Sequence, residues 1–215
     1  MKPPFKFYIF DLDGTLLNSL PDIANAVNDA LLKFGLPVHQ ADKYRFFVGN
    51  GIKVLAERVL PETFDKNQFP QFLAEVERLY ALKQMEFTRP YPGVLQMLKT
   101  LNHHSIPVAI FSNKPDSFTQ VVVKHFFPDI DFVEVAGAQE NLPKKPDPTI
   151  VNQMIKKVNI PKEQVAFIGD MATDMRTAKN AGVYAIGVSW GFREVEELIS
   201  TGADHIVHKP MEILI

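Results

Sequence analysis

Residues 5–15, FKFYIFDLDGT, decide the fold prediction, because an apolar run changes there into an acidic turn. The aromatic-rich run at residues 5–10 is typical of a buried β-strand. Asp11 and Asp13 follow at once, and their spacing of two places both side chains on one face of an extended chain. Gly14 lets the backbone turn after them, so both carboxylates can face one site. The stretch predicts a strand that ends at an acidic functional site.

A purely helical stretch is expected after this strand. Residues 21–34 carry apolar side chains at helical spacing, and Gly35 suits the end of a helix. Two further helices are predicted at residues 52–60, which end at Pro61, and at residues 69–85. No strand-like pattern interrupts them, so this part of the chain is predicted to be all-helical.

From residue 89 onward, predicted strands and helices alternate. They begin after the turn-rich sequence RPYPG at residues 89–93. The predicted strands are at residues 108–111, 132–135, 165–168 and 183–188. The predicted helices are at residues 94–101, 118–126, 148–158 and 171–181. Such alternation is typical of a parallel sheet with helices on both faces. We therefore predict an α/β protein in which residues 1–16 and 89–215 form a doubly wound core and residues 17–88 form an inserted helical domain.

Composition excludes several kinds of protein and site. The 215 residues include 23 basic and 25 acidic side chains, a balance without the basic excess of nucleic-acid-binding proteins. Because the chain has no cysteine, it has no disulfide, no thiolate zinc site and no cysteine nucleophile. No apolar run reaches the roughly 18–20 residues that span a membrane. The N-terminal segment has no signal-peptide pattern, so a cytoplasmic location is expected.

Polar motifs follow three further predicted elements of the core. Ser112 and Asn113 follow the second strand of the core, and Lys145 lies in a loop before a helix. Asp170 follows the strand at residues 165–168, and Asp174 comes four residues later. Ligands of open α/β sheets bind at the carboxyl ends of the strands. The motifs are therefore expected to meet the acidic turn after the first strand.

Together with the acidic turn, these make four motifs, and their order along the chain resembles that of the haloacid dehalogenase-like (HAD) phosphatase superfamily. The position of the helical insert resembles the subgroup whose cap lies between the first and second motifs. A narrower resemblance to phosphoglycolate phosphatases rests on residues 48–51 (VGNG) and residues 89–93 (RPYPG). The likeness covers nearly the whole chain and implies a Rossmann-like core, a helical cap and Mg²⁺-dependent phosphatase activity.

The resemblance also implies a set of metal ligands. It assigns the metal to the Asp11 carboxylate, the Asp13 backbone carbonyl and Asp170, with Asp174 beside them. This agrees with the chemistry of the residues, since clustered carboxylates repel one another unless a cation neutralises them. Oxygen donors without cysteine favour a hard ion such as Mg²⁺ over a softer metal.

The expected chemistry is phosphoryl transfer through a covalent intermediate. Asp11 can act as the nucleophile, and Asp13 can protonate the leaving alkoxide and later deprotonate water. General acid–base catalysis supplies roughly 3–5 kcal/mol, so neutralisation of charge on the phosphoryl oxygens must supply the remainder. Besides Mg²⁺, the expected contributors are Lys145 and the hydroxyls of Thr15 and Ser112.

The substrate is expected to contact both the core and the cap. In the core, Ser112, Asn113 and Lys145 are the expected substrate-binding residues. In the cap, the expected contacts are the turn formed by Gly49, Asn50 and Gly51 and its basic neighbours Arg45 and Lys53. Either basic residue could bind a carboxylate of the substrate or simply lie in solvent.

Several functions remain open at this point. The leading hypothesis is hydrolysis of a small phosphomonoester, with 2-phosphoglycolate as the first substrate to test. The same core would serve a sugar-phosphate or nucleotide phosphatase, or a β-phosphoglucomutase-like phosphotransferase, because specificity depends on the cap. A dehalogenase is disfavoured by Asp13, and a signalling receiver module by the helical insert. The expected partner is a small phosphate ester, without nucleic acid or membrane, bound by a monomer or homodimer.

Overall fold

A six-stranded parallel β-sheet forms the centre of the computed structural model, which describes residues 4–214. The strands of the described chain, including two outside this sheet, are β1 (Phe7–Phe10), β2 (Leu17–Asn18), β3 (Arg89–Pro90), β4 (Val108–Pro115), β5 (Phe132–Ala138), β6 (Val165–Gly169), β7 (Tyr184–Val188) and β8 (His205–Val207). The order across the sheet is β5-β4-β1-β6-β7-β8, and every pairing is parallel. The predicted α/β class and doubly wound sheet are confirmed.

Helices cover both faces of this sheet and also form the insert. In chain order they are α1 (Leu20–Lys33), α2 (Tyr44–Phe47), α3 (Ile52–Val59), α4 (Phe69–Lys83), α5 (Val94–His103), α6 (Asp116–Phe126), α7 (Thr149–Val158), α8 (Ala172–Ala181) and α9 (Val195–Ser200). Within residues 4–214, no helix combines the length and the apolar character needed to cross a membrane.

Strand β1 is buried on both faces, as its aromatic composition predicts. Tyr8 and Phe10 belong to the apolar core that contains α5 and α6 residues, whereas Phe7 and Ile9 belong to the core that contains α7 and α8 residues. All four side chains are fully buried. Alternate side chains of a strand point to opposite faces, so one short strand anchors both helical layers.

The position of β1 determines where the active site can form. Its neighbours are β4 on one side and β6 on the other. The chain connections diverge to either side of this point. The carboxyl ends of the strands therefore leave a crevice outside the sheet, where ligands of such folds bind. The loops that follow β1, β4 and β6 therefore meet at one place.

The inserted helices have an apolar core of their own. It includes Ile23 and Val27 of α1, Leu55 of α3, and Phe72 and Val76 of α4. We call helices α1–α4 the cap. The short strands β2 and β3 pair antiparallel where the chain leaves the sheet and where it returns. This pairing lies at both predicted domain borders; the division of the chain itself stays a prediction.

Asp22 joins the two ends of the cap. Its buried carboxylate accepts hydrogen bonds from the backbone N–H of Phe87 and of Thr88, at 2.8–3.1 Å, and from the Thr88 hydroxyl at 2.7 Å. Sequence patterns do not reveal this contact, because Phe87 and Thr88 come 65 and 66 residues after Asp22. The Asp22 carboxylate thus connects the start of α1 to the chain segment that leaves the cap, beside the β2–β3 ribbon.

Asp22→Ala is expected to lower the free energy of unfolding by about 3 kcal/mol, because it leaves buried donors without an acceptor. The measurement is urea denaturation followed by circular dichroism. The matched control is Asp29→Ala, which removes the partly exposed carboxylate that pairs with Lys83 and should cost less than about 1 kcal/mol. Equal losses for the two variants would show that Asp22 has no special role.

The structure corrects several predicted boundaries. Strand β1 begins at Phe7 rather than at residue 5, and β4 continues through Ser112 and Asn113 to Pro115 because Pro115 still pairs with Ala138 of β5. The predicted sequence elements omitted α2, the β2–β3 ribbon, α9 and β8. Each has at most six residues, too few for a hydrophobic period to be recognised.

Candidate active site

The predicted motifs converge at the carboxyl end of the sheet. Asp11 directly follows β1, Ser112 lies near the end of β4, and Asp170 directly follows β6. Asp174 lies in the first turn of α8, and Lys145 comes from the loop between β5 and α7. The side chains of all five residues are buried. Strand ends therefore place four chain segments around one site.

Three aspartates, which we call the acidic triad, and one lysine form the base of this site. Carboxylate oxygens of Asp11, Asp170 and Asp174 all lie within 4.8 Å of one another. Lys145 Nζ lies 2.7 Å from Asp11 Oδ1 and 2.7 Å from Asp174 Oδ1. Thr15 donates its hydroxyl proton to Asp170 Oδ1 at 2.9 Å. In this arrangement the Thr15 hydroxyl holds a carboxylate of the triad.

Asp170 and Asp174 are oriented by backbone groups. The Phe192 N–H donates to Asp170 Oδ2 at 2.8 Å. Asp174 Oδ2 accepts from the backbone N–H of Asp170 at 3.1 Å and of Met171 at 3.0 Å, at the start of α8. A carboxylate in the first turn of a helix also satisfies free N–H groups there. Asp174 therefore caps α8 with one oxygen and contacts Lys145 with the other.

Burial and mutual repulsion shift the proton affinities of this cluster. Burial raises the pKa of Asp11 to about 7, with Lys145 opposing the shift and Asp174 adding to it. Burial, followed by the charges of Asp174 and Asp11, raises the pKa of Asp170 well above its ordinary value. Burial disfavours the charged form of Lys145, but Asp11 and Asp174 outweigh it and raise its pKa. Lys145 is thus a permanent cation beside Asp11, an acid that is difficult to ionise.

The triad fits a hard divalent cation. Three carboxylates face one ammonium group, so full ionisation would leave an excess of two buried negative charges near it. Carboxylate oxygens are the donors that ions such as Mg²⁺ prefer. A bound cation would remove the repulsion that adds to the effect of burial on the two carboxyl pKa values, and so the residues present suit a metal site.

Two glycines allow the chain to approach this cluster closely. Gly14 has a φ of +89°, and a Cβ atom there would lie 2.3 Å from Asp170 Oδ2. Gly49 in the cap has a φ of +109°, and its Cβ would lie 2.3 Å from Met171 Cε. A side chain would be strained at both positions, and at Gly14 it would also collide with the hydrogen-bonded Asp170 carboxylate. The first glycine admits the acidic turn to the triad, and the second seats the cap turn against the core.

Asn113 connects the site lysine to the cap. Its side-chain oxygen accepts from the Lys145 N–H at 2.9 Å, while its Nδ2 donates to the Lys145 carbonyl at 3.2 Å and to the Gly49 carbonyl at 3.1 Å. The side chain lines the site, but the hydrogen bonds of its amide group are made to the protein backbone. In the structure Asn113 positions the Lys145 loop and the cap turn.

Asp13 has a partner that sequence reasoning missed. Lys114 Nζ lies 3.0 Å from each carboxylate oxygen of Asp13 and also donates to the hydroxyl of Tyr80 in α4. Lys114 directly follows the Ser112–Asn113 motif, yet a lysine at the end of a strand is ordinarily a solvated residue. Tyr80 lies on the apolar face of a cap helix, so no local signal indicated its contact with the core.

A small cavity of about 70 Å³ lies between the core and the cap. Its core wall includes Asp11, Asp13, Ser112, Lys114 and Lys145. Its cap wall is largely aliphatic and consists of Ile23, Val27, Val48, Ile52, Leu55 and Val76, together with Gly49, Gly51 and Tyr80. A polar reaction centre thus faces a mainly apolar lid.

The remaining predicted cap residues lie away from this cavity. Arg45 donates to the Phe192 carbonyl at 2.6 Å and to Glu194 Oε1 at 2.7 Å. Asn50 accepts from Arg58 at 2.8 Å, and Lys53 is exposed. None of the three predicted residues is part of the cavity wall described above. The structure therefore brings Gly49 and Gly51 to the site, but not Arg45, Asn50 or Lys53.

Comparison with known proteins places the chain in a family. The family model for haloacid dehalogenase-like hydrolases matches residues 8–188. The chain belongs to this family and is a hydrolase of that class, as the motif resemblance predicted.

Several relatives of this chain are named phosphoglycolate phosphatase. A phosphoglycolate phosphatase of Pseudomonas savastanoi pv. phaseolicola is 36% identical over 192 residues, covering 87% of this chain and 70% of that protein. One from Vibrio cholerae is 33% identical over 212 residues, covering 94% and 92%. The crystal structure of a predicted phosphoglycolate phosphatase from Haemophilus somnus superposes with a TM-score of 0.92 at 29% identity, over 98% and 97% of the two chains. The narrower resemblance is therefore confirmed.

Proposed function

We propose that this protein is a Mg²⁺-dependent phosphatase that hydrolyses a small phosphomonoester, 2-phosphoglycolate, through a phosphorylated Asp11. The observation that carries the proposal is the buried triad of Asp11, Asp170 and Asp174 with Lys145 at the carboxyl end of the sheet. The names of the relatives support the substrate.

The metal site would consist of the Asp11 and Asp170 carboxylates and the backbone carbonyl of Asp13. Asp174 would support this set by orienting Lys145 and the start of α8. The bound Mg²⁺ would neutralise charge on the phosphoryl oxygens, which is the main demand of phosphoryl transfer. Lys145, held 2.7 Å from Asp11, adds a fixed positive charge at the same place.

In the first half-reaction, a carboxylate oxygen of Asp11 forms a bond to phosphorus while the bond from phosphorus to the ester oxygen breaks. Asp13 gives its proton to the departing alkoxide, which leaves as an alcohol. Asp13 lies two residues after Asp11 and lines the same cavity, so it can reach the leaving-group side. Ser112, in the cavity wall, can donate a hydrogen bond to a phosphoryl oxygen.

In the second half-reaction, Asp13 removes a proton from water as the water oxygen attacks phosphorus. The bond between phosphorus and Asp11 breaks, inorganic phosphate leaves, and Asp11 regains its carboxylate. The aliphatic cap wall excludes bulk water, which strengthens the charge interactions inside the cavity.

The test of this proposal is phosphate release across a panel of phosphomonoesters, with and without Mg²⁺. The panel contains 2-phosphoglycolate, a sugar phosphate, a nucleoside monophosphate and a small uncharged alkyl phosphate. We expect Mg²⁺-dependent release with the highest kcat/KM for 2-phosphoglycolate. Preference for another ester would overturn the substrate, and absence of release from every ester would overturn the phosphatase function.

Binding of Mg²⁺ is expected to strengthen as pH rises through neutrality. In the metal-free protein the pKa of Asp11 is raised to about 7, so below that pH a proton must leave before the carboxylate can bind the ion. The apparent affinity should therefore increase by up to about tenfold per pH unit for each displaced proton. Isothermal titration calorimetry in buffers of different ionisation enthalpy measures both quantities. Equal affinity at acidic and neutral pH, without proton release, would contradict the prediction.

A further inference from the structure

Lys114 provides a positive charge on the leaving-group side of the cavity. Among the described residues of the cavity wall, Lys114 and Lys145 are the cations. Lys145 is committed to Asp11 and Asp174 at the phosphoryl end. Lys114 is instead bound to Asp13, the proposed proton donor to the leaving group, and its side chain is only 4% exposed. The two lysines thus contact different aspartates of the cavity wall.

Tyr80 contributes an unused proton beside this lysine. Its oxygen accepts a hydrogen bond from Lys114, and within residues 4–214 no acceptor is in place for its own hydroxyl proton. Burial, partly offset by Lys114, raises the pKa of Tyr80 to about 12, so the phenol keeps that proton at neutral pH. Buried hydroxyl donors normally have a partner. Because Tyr80 lines the cavity, this proton is available to an acceptor that enters it.

Besides Tyr80, the described side chains of the cap wall carry no polar group. The cap wall around Tyr80 is aliphatic. Arg45, which could have bound a carboxylate, is engaged with Phe192 and Glu194, and Lys53 is exposed on the surface. An anionic group buried here would be strongly disfavoured unless it met a cation or several hydrogen-bond donors.

We propose that Lys114 and Tyr80 form the subsite that binds the carboxylate of the substrate and thereby determine specificity for phosphate esters with an acidic leaving group. The inference rests on the proposed phosphatase function. The carboxylate accepts one hydrogen bond from the Lys114 ammonium, which gives up one of its two contacts with Asp13 to make it, and one from the Tyr80 hydroxyl. Because Tyr80 belongs to the cap and Lys114 to the core, the same contact brings the cap onto a correctly charged substrate.

The test compares 2-phosphoglycolate with 2-hydroxyethyl phosphate, which replaces the carboxylate by an uncharged CH₂OH group. The ratio of kcat/KM for the two esters is measured in the wild type, Tyr80→Phe, Lys114→Met and the control Tyr44→Phe. The control removes a hydroxyl that binds Asn28 within the cap. We expect the ratio to fall about 10–100-fold in Lys114→Met and about 3–10-fold in Tyr80→Phe, through KM for the acidic ester, and to stay unchanged in Tyr44→Phe.

Each possible outcome decides the proposal. A wild type that prefers the acidic ester, with that preference lost in both variants, supports the subsite. If both variants lower kcat/KM equally for the two esters, Lys114 and Tyr80 only hold Asp13 and the subsite is refuted, while the phosphatase function stands. A wild type without preference for the acidic ester refutes both the subsite and the choice of 2-phosphoglycolate. Should Lys114→Met fail to fold, the ratio in Tyr80→Phe decides alone.

Discussion

Asp11→Asn is expected to lower kcat for phosphate release by about 10⁴-fold or more, the largest effect of any single substitution in this protein. The amide has nearly the shape of the carboxylate but cannot attack phosphorus to form an acyl phosphate. Asp11 is also one of the three buried carboxylates that suit a cation, so the variant should bind Mg²⁺ more weakly. Steady-state phosphate release at saturating Mg²⁺ measures the loss.

The fold should survive this substitution. In the metal-free protein Asp11 is buried and ionised only with difficulty, so a neutral side chain of the same size relieves repulsion in the triad. The melting temperature without Mg²⁺ should therefore be unchanged or higher. The control Asp29→Asn, at a partly exposed ion pair, should keep wild-type activity. Activity of Asp11→Asn within tenfold of the wild type would contradict the proposed nucleophile.

Lys145→Met is expected to have the second-largest effect, a loss of about 10²–10³-fold in kcat/KM. The ammonium group lies 2.7 Å from both Asp11 and Asp174, and the side chain is only 2% exposed, so bulk water does not compensate the loss of its charge. Removing one partner of a buried ion pair typically costs 3–5 kcal/mol, because it leaves an uncompensated charge. The variant should consequently be less stable without Mg²⁺ and should recover part of that loss when Mg²⁺ is added.

Lys144→Met is the matched control, because Lys144 is the adjacent residue and is exposed. It should retain wild-type activity and wild-type stability in the presence and absence of Mg²⁺. Thermal unfolding at several Mg²⁺ concentrations, together with kcat/KM, separates the two lysines. Equal behaviour of the two variants would remove Lys145 from the active site.

Sequence patterns were sufficient to predict that the acidic residues cluster, because these residues stand at the ends of regular elements. The strand at residues 7–10 and the helix that starts near Asp174 are clear from apolar spacing, and the parallel order then brings Asp11, Asp170 and Asp174 together. The choice of Lys145 over its neighbour agrees with its burial and its contacts. For residues at the ends of regular elements, the local pattern and the strand order are enough to predict which side chains meet.

The contacts between core and cap could not be obtained in this way. Lys114 and Tyr80 are 34 residues apart, and their meeting depends on how the cap helices pack over the sheet. The same packing brings Gly49 against Met171 and leaves Arg45 outside the cavity. No periodic signal encodes how the cap helices pack on the sheet, so the contact between Lys114 and Tyr80 emerged only from the structure.

The most direct test of the central claim is detection of the phosphoryl group on Asp11. The protein is mixed with 2-phosphoglycolate and Mg²⁺, quenched during turnover, and treated with borohydride, which reduces an acyl phosphate to the alcohol. Peptide mass mapping should find homoserine at position 11 only when both substrate and Mg²⁺ are present. Homoserine at another aspartate, or at none while phosphate is being released, would contradict the account of Asp11 as the nucleophile.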